Sequence, residues 1–259
     1  DMSATTYFIG AAFGGPDWLK WVVLGFIVLG IGLGAWFFAA RAEHDPSVYS
    51  PKLAWIRAWI YYCFVIVFSW VTGVLGIVVD NPLIAEGRLQ DTTWLIVVGV
   101  CWLVSIWGYV YWWPRGTLTH DRKLYVWPTL LHGSFWGICA GLLYVSIYAM
   151  LEQFGLPGIV NALILVAILS VYNLNYQVGW WDIFVSPKHN IRATNNGKVA
   201  GAHQPFLVAT LTLLVMYGDA GMYVLLSTFA MTCSAIAMRF PPFWLPDGGQ
   251  VSRATAMGE

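Results

Sequence analysis

Long apolar runs separated by short polar connections dominate this chain. They fall at about 18–41, 54–79, 92–113, 125–150, 157–184, 200–217 and 220–239. A helix of roughly 20 apolar residues crosses a hydrocarbon core about 30 Å thick. The pattern therefore predicts an all-α, polytopic integral membrane protein: a compact bundle of seven transmembrane helices. The last two runs form one stretch too long for a single crossing. Gly218 and Gly221 flank Asp219 and Ala220 there, a composition suited to a tight helix–helix turn. The sixth run is then short and needs Val199–Ala202 to reach across.

The charges test that division independently, because short cytoplasmic loops collect Lys and Arg. With seven crossings, Arg41, Lys52, Arg57, Arg115, Arg122, Lys123, Lys188, Arg192, Lys198, Arg239 and Arg253 fall on one side. Only Lys20 and Arg88 fall on the other, so 11 of the 13 basic residues share a side. Joining the last two runs would spoil this sorting. The expected orientation puts the N-terminus outside and the C-terminus in the cytoplasm, in a bacterial-type plasma membrane. Residues 1–240 form one transmembrane domain and 241–259 a Pro-rich cytoplasmic tail. The first run is long enough to stay in the bilayer, so no cleavable signal peptide is expected.

Composition narrows the picture further. The chain is 59% hydrophobic and 10% charged, against about 25% charged in soluble domains. Zero net charge and the absence of a basic stripe argue against a nucleic-acid partner. Cys63, Cys101, Cys139 and Cys233 sit in separate apolar runs without metal-ligand spacing, and read as small buried hydrophobes. Many of the 16 tryptophans, among them Trp59, Trp112, Trp113, Trp127, Trp180 and Trp181, lie near run ends, where indole favours the headgroup level. Gly30 and Gly34 form a small-xxx-small pair for close helix contact, within the chain or with a membrane-protein partner or second copy.

The candidate chemistry centres on residues 170–182, where polar groups interrupt an apolar run. On a helix Tyr172, Asn175 and Asp182 share one face, and Asn173, Gln177 and Trp180 an adjacent one. Amides below the interface must point into the bundle or a water-filled cavity. They read either as a polar floor to a cytosol-facing pocket or as interhelical glue. His132, beside Gly133 and Gly137, is expected at a depth comparable to Asn175, and His203, ahead of Pro205, opens the sixth run on the cytoplasmic side, where it could complete the site. An imidazole titrates near neutrality and suits proton transfer. His132 and Asp182 are the expected acid/base pair, with Tyr172, Asn173, Asn175, Gln177, Trp181 and His203 lining the substrate. Two histidines make no metal site, so neither metal nor cofactor is expected. The outer acids Asp80, Glu86, Asp91, Glu152 and Asp219 read as solvated. Asp219 is the exception, because its short turn would press it against the bundle and raise its pKa. A retinal-linked pigment is excluded, since no span interior offers a Schiff-base lysine.

Three functions follow as expectations. The first is a membrane enzyme acting on a lipophilic, isoprenoid-like small molecule by acid/base chemistry, of cyclase or isomerase type. Aromatic faces stabilise cationic intermediates, and small seven-helix terpene cyclases offer an analogy of size and topology only. The second is a non-catalytic subunit of a larger membrane complex. The third is a small-solute transporter or channel, which the lack of an intramembrane charge pair disfavours.

Overall fold

The computed structural model describes residues 51–114, 124–152, 154–173 and 199–238. Among the described residues the secondary structure is entirely helical. Helix α1 spans Pro51–Val71 and α2 Val74–Asp80. Helix α3 spans Thr92–Ser105 and continues as a π-helical segment over Ile106–Trp112. Helix α4 runs from Val126 to Glu152 and α5 from Gly158 to Val171, with π-helical Tyr172 and Asn173 after it. A π-helical segment at Val199–His203 leads into α6, Gln204–Tyr217, and α7 covers Ala220–Met238.

Among the described residues, four helices are long and apolar enough to cross a membrane: Thr92–Trp112, Val126–Glu152, Ala200–Tyr217 and Ala220–Ala237. They match the expected third, fourth, sixth and seventh runs. Gly158–Ser170 is a shorter apolar helix within the expected fifth run. Residues 174–184 of that run, the whole first run with Gly30 and Gly34, and the tail lie outside the described residues.

The expected second run is not one helix. Its α1 and α2 segments meet at 82°. Gly73 sits between them at φ 77, a left-handed conformation that a Cβ would penalise. The break costs little in unmet hydrogen bonds. Gly73 N–H donates to Trp70 O (3.0 Å), and the Thr72 hydroxyl donates to Phe68 O (3.0 Å) and lies 3.2 Å from that of Ser146 on α4. Irregular backbone at membrane depth is tolerated only with such internal partners.

Helix α3 shows which way the molecule faces. Its Ile96, Val100, Leu103, Trp107 and Val110 are exposed, while Trp94, Val98, Cys101, Ser105 and Tyr109 are buried. The apolar stripe points outward and the hydroxyls inward, the reverse of a water-soluble helix and the arrangement a lipid solvent demands. Trp127 and Trp70 are 74% and 70% exposed, as interfacial or lipid-facing indoles should be, but Trp113 turns inward against Tyr109 at 5.8 Å between ring centroids. Cys63 is also exposed on α1, contrary to the expectation that all four thiols are buried. It belongs to an apolar outer surface with Phe64 and Val67, where a thiol behaves as a small hydrophobe.

Helix α4 is the central post, buried without interruption from Cys139 to Leu151. Gly133, Gly137 and Gly141 lay it directly against α7. A Cβ at Gly133 would stand 2.8 Å from Thr232 Cα, one at Gly141 2.9 Å from Val224 Cα, and one at Gly137 would overlap Thr228 Cα. Small residues at four-residue spacing let two backbones approach where there is no hydrophobic force to join helices in lipid. The same spacing makes the seam intolerant of added volume. Gly137→Ala should destabilise the protein by about 1–3 kcal/mol through overpacking against backbone. Gly99→Ala, whose added methyl meets nothing within 4 Å, should be neutral or stabilising by up to ~1 kcal/mol. Unfolding of both variants in detergent, followed by circular dichroism, measures the contrast.

Candidate functional site

Three π-helical segments converge on one buried polar network. Tyr109 comes from the end of α3, Asn173 from the end of α5 and His203 from the segment before α6, while Tyr144 projects from α4. The Tyr144 hydroxyl donates to Asn173 Oδ1 (3.3 Å). Asn173 Nδ2 donates to the carbonyl of Leu169 (2.6 Å) and to Nε2 of His203. Nδ1 of His203 lies 2.6 Å from the Tyr109 hydroxyl. A neighbouring contact joins Gln204 Nε2 to the Ser170 hydroxyl. The backbones meet closely here, because Gly108 would place a Cβ 3.1 Å from Ala202 Cα and Gly201 packs on the Trp112 indole.

The backbone dictates the protonation pattern. An amide oxygen facing Leu169 O would set two acceptors together, so the Asn173 NH2 group must point there. Its second hydrogen then faces Nε2 of His203, which must be an acceptor. A neutral imidazole carries one proton, so Nδ1 holds it and donates to the Tyr109 oxygen. A doubly protonated ring would oppose a donor to a donor, and the network as built holds His203 neutral. Aromatic rings complete the surroundings. His203 stacks on Phe206 (6.3 Å), Tyr109 meets Phe206 edge-on (5.4 Å), and Tyr144 meets Tyr172 edge-on (6.4 Å).

His132 belongs to a different cluster. Its Nδ1 is 2.7 Å from the Tyr62 hydroxyl and its ring stacks on Trp136 at 5.9 Å. Twelve residues of α4 separate it from Tyr144, about 18 Å at 1.5 Å per residue. Of the expected site residues, Asn173 and His203 are hydrogen-bonded to each other, and Tyr172 packs beside them through Tyr144. His132 does not join them. Asn175, Gln177, Trp181 and Asp182 lie outside the described residues. Tyr109, Tyr144 and Tyr62 were missed by reading the sequence. The available signal was that a tyrosine inside a span must place its hydroxyl on a polar partner.

A second polar cluster closes the opposite end of α3. Asp91 caps that helix, accepting from the backbone N–H of Thr93 (2.9 Å) and Trp94 (3.1 Å). The Trp94 indole N–H donates to Asp219 Oδ2, and Arg88 lies 3.7 Å from Asp219 Oδ1. Arg88 also donates to Tyr217 O (3.1 Å) and covers the Tyr217 ring at 4.6 Å. Gly218 at φ 66 makes the turn that places Asp219 there. Among the described residues no three metal-ligating side chains converge. The chain matches no known family model, no curated protein and no solved structure.

Burial raises the Asp219 pKa above the ordinary carboxylate value, outweighing the opposing effects of the Trp94 hydrogen bond and Arg88. A raised native pKa means the folded state binds the proton first as pH falls. The associated stability is complete below the unfolded pKa and is lost as pH rises through the native one. Asp219→Asn keeps an acceptor for Trp94 and should flatten this dependence. Its melting temperature relative to wild type should be higher at neutral pH than at mildly acidic pH, and melting curves of both proteins across that range provide the check.

Proposed function

We propose that the protein is a membrane-embedded enzyme acting on a lipophilic, isoprenoid-like molecule, with its site at the Tyr109–His203–Asn173–Tyr144 network. The observation that carries this reading is the meeting of three π-helical segments at one aromatic-walled polar cluster. A π-helical turn sacrifices regular backbone hydrogen bonding and recurs at functional sites. Simple glue between helices needs only one amide, worth about 0.6 kcal/mol. The aromatic walls suit an apolar substrate body, and the polar core suits an oxygen-bearing end where acid/base or oxyanion-stabilising chemistry takes place. His132, some 18 Å distant along α4, is not part of that site.

The same reading takes seven crossings with the N-terminus outside. The sorting of 11 of the 13 basic residues to one side supports it. In that orientation Tyr109 and His203 stand near the cytoplasmic end and the Arg88–Asp219 cluster near the outer end. A second reading, a non-catalytic subunit of a membrane complex, is favoured by Asn173, whose amide atoms are all used within the chain.

An organic extract of the purified protein, analysed by mass spectrometry, should contain a stoichiometric isoprenoid or similar lipid. Asn173→Leu should remove it while the protein still folds. An extract holding only bulk phospholipid would favour the subunit reading. The orientation has its own check. A cysteine introduced at 114–124 should resist an impermeant thiol reagent applied outside intact cells, and labelling there would reverse the topology.

A further inference from the structure

The hydrogen-bond logic of the network leaves one hydrogen without a destination. Leu169 O fixes the Asn173 amide, the amide fixes Nε2 of His203 as an acceptor, and Nδ1–H must therefore donate to Tyr109. The Tyr109 oxygen is thus already serving as an acceptor, and its own O–H hydrogen needs an acceptor elsewhere. Its hydrogen bond is to His203, and the residue is fully buried at 0% exposure. A buried donor with no acceptor costs about 1–3 kcal/mol, and native structures rarely leave one unmet. The bond from Nδ1–H also polarises the phenol, which strengthens it as a donor.

The surroundings narrow what could accept that hydrogen. Phe206 and Trp113 lie against the Tyr109 ring at 5.4 Å and 5.8 Å. Phe206 in turn touches Tyr223 at 6.4 Å. Of the cations with described side chains, Arg88 is committed at the other end of α3, beside Trp94, fifteen residues or about 22 Å from Tyr109. The rings packed on Tyr109 are apolar, a setting that favours an uncharged acceptor over an anionic one. A neutral carbonyl oxygen would meet a polarised phenol in an apolar setting.

We propose that the Tyr109 hydroxyl donates a hydrogen bond to a carbonyl oxygen of a neutral lipophilic ligand, of the quinone or ketone class. The proposal rests on the reading of this network as a lipophilic-substrate site and names the group that site recognises. The Tyr109 donor holds the carbonyl in place and stabilises negative charge on its oxygen. No atom of Asn173 or His203 need leave its present bond.

Two measurements test it. The first needs no ligand: the ¹⁵N spectrum of histidine-labelled protein should show His203 protonated at Nδ1. Protonation at Nε2 would overturn the inference, because Tyr109 would then spend its hydrogen on Nδ1. The second uses decylubiquinone as the probe, with binding to the detergent-solubilised protein followed by tryptophan quenching. Wild type should bind saturably, and Tyr109→Phe should bind roughly tenfold more weakly, the loss expected for one hydrogen bond. Tyr109→Phe should keep the helicity of wild type by circular dichroism, and Gly99→Ala, whose added methyl meets nothing within 4 Å, should bind like wild type and so controls for substitution as such. Equal affinity of wild type and Tyr109→Phe would refute the donor role while leaving a lipophilic site standing. Binding of farnesyl diphosphate in preference to the quinone would refute the ligand class alone. Should neither probe bind while an isoprenoid without a carbonyl is extracted from the protein, this inference falls and the broader reading survives.

Discussion

Hydrocarbon offers no hydrogen bonds, and that one property organises the molecule. Every backbone and side-chain polar group at membrane depth must find its partner inside the protein. Helices meet the backbone requirement locally, so among the described residues every regular element is a helix. Side chains meet it by turning inward. Ser105, Ser146, Thr210, Asn173 and His203 are buried while Leu103, Trp107 and Val110 face out. Hydroxyls bond carbonyls one turn back, as Ser105 does to Cys101 (2.6 Å) and Thr210 to Phe206 (2.7 Å). What remains among the described residues is small: the imidazoles of His132 and His203, the Asn173 amide and a few phenols, which gather at defined places between helices.

The same constraint explains how the helices associate. Burial of apolar surface gives no advantage when the solvent is itself apolar, so contact must come from close packing. Gly133, Gly137 and Gly141 supply that contact between α4 and α7. Gly108 and Gly201 supply it where α3 approaches the start of α6. Around the second contact the helices also loosen into π turns, and the polar network forms in the space between them. Tight glycine seams and a widened, hydrogen-bonded end are complementary: the first fixes the bundle so that the second can hold an unusual backbone. At the far end of α3, the Arg88–Asp219–Trp94 cluster ties the α6–α7 turn to the connection that precedes α3.

The network combines a fixed tautomer with a fixed amide. A carbonyl of the helix backbone, Leu169 O, orients Asn173, which orients His203, which polarises Tyr109. Such an arrangement fixes the direction of each dipole in the folded protein. It also differs in kind from a pair of free acid/base groups, because both nitrogens of the imidazole are tied into hydrogen bonds within the protein.

Much of this protein was legible in its sequence, for a physical reason. Membrane solvent imposes its demand residue by residue, so apolar runs revealed four of the long helices, and Gly218 with Asp219 marked the turn between α6 and α7. Asn173, Tyr172 and His203 stood out because polar groups are costly in such runs. Other features depended on contacts far apart in the chain. Gly73 reads like any span glycine until φ 77 splits the helix. His132 and His203 look equivalent until their partners, Tyr62 and Tyr109, set them in separate clusters. The π turns carry no local signature in an apolar run. Periodicity and solvent preference are properties of single segments and are written in the sequence. Which hydroxyl meets which imidazole depends on how distant segments pack, and only the tertiary structure decides it.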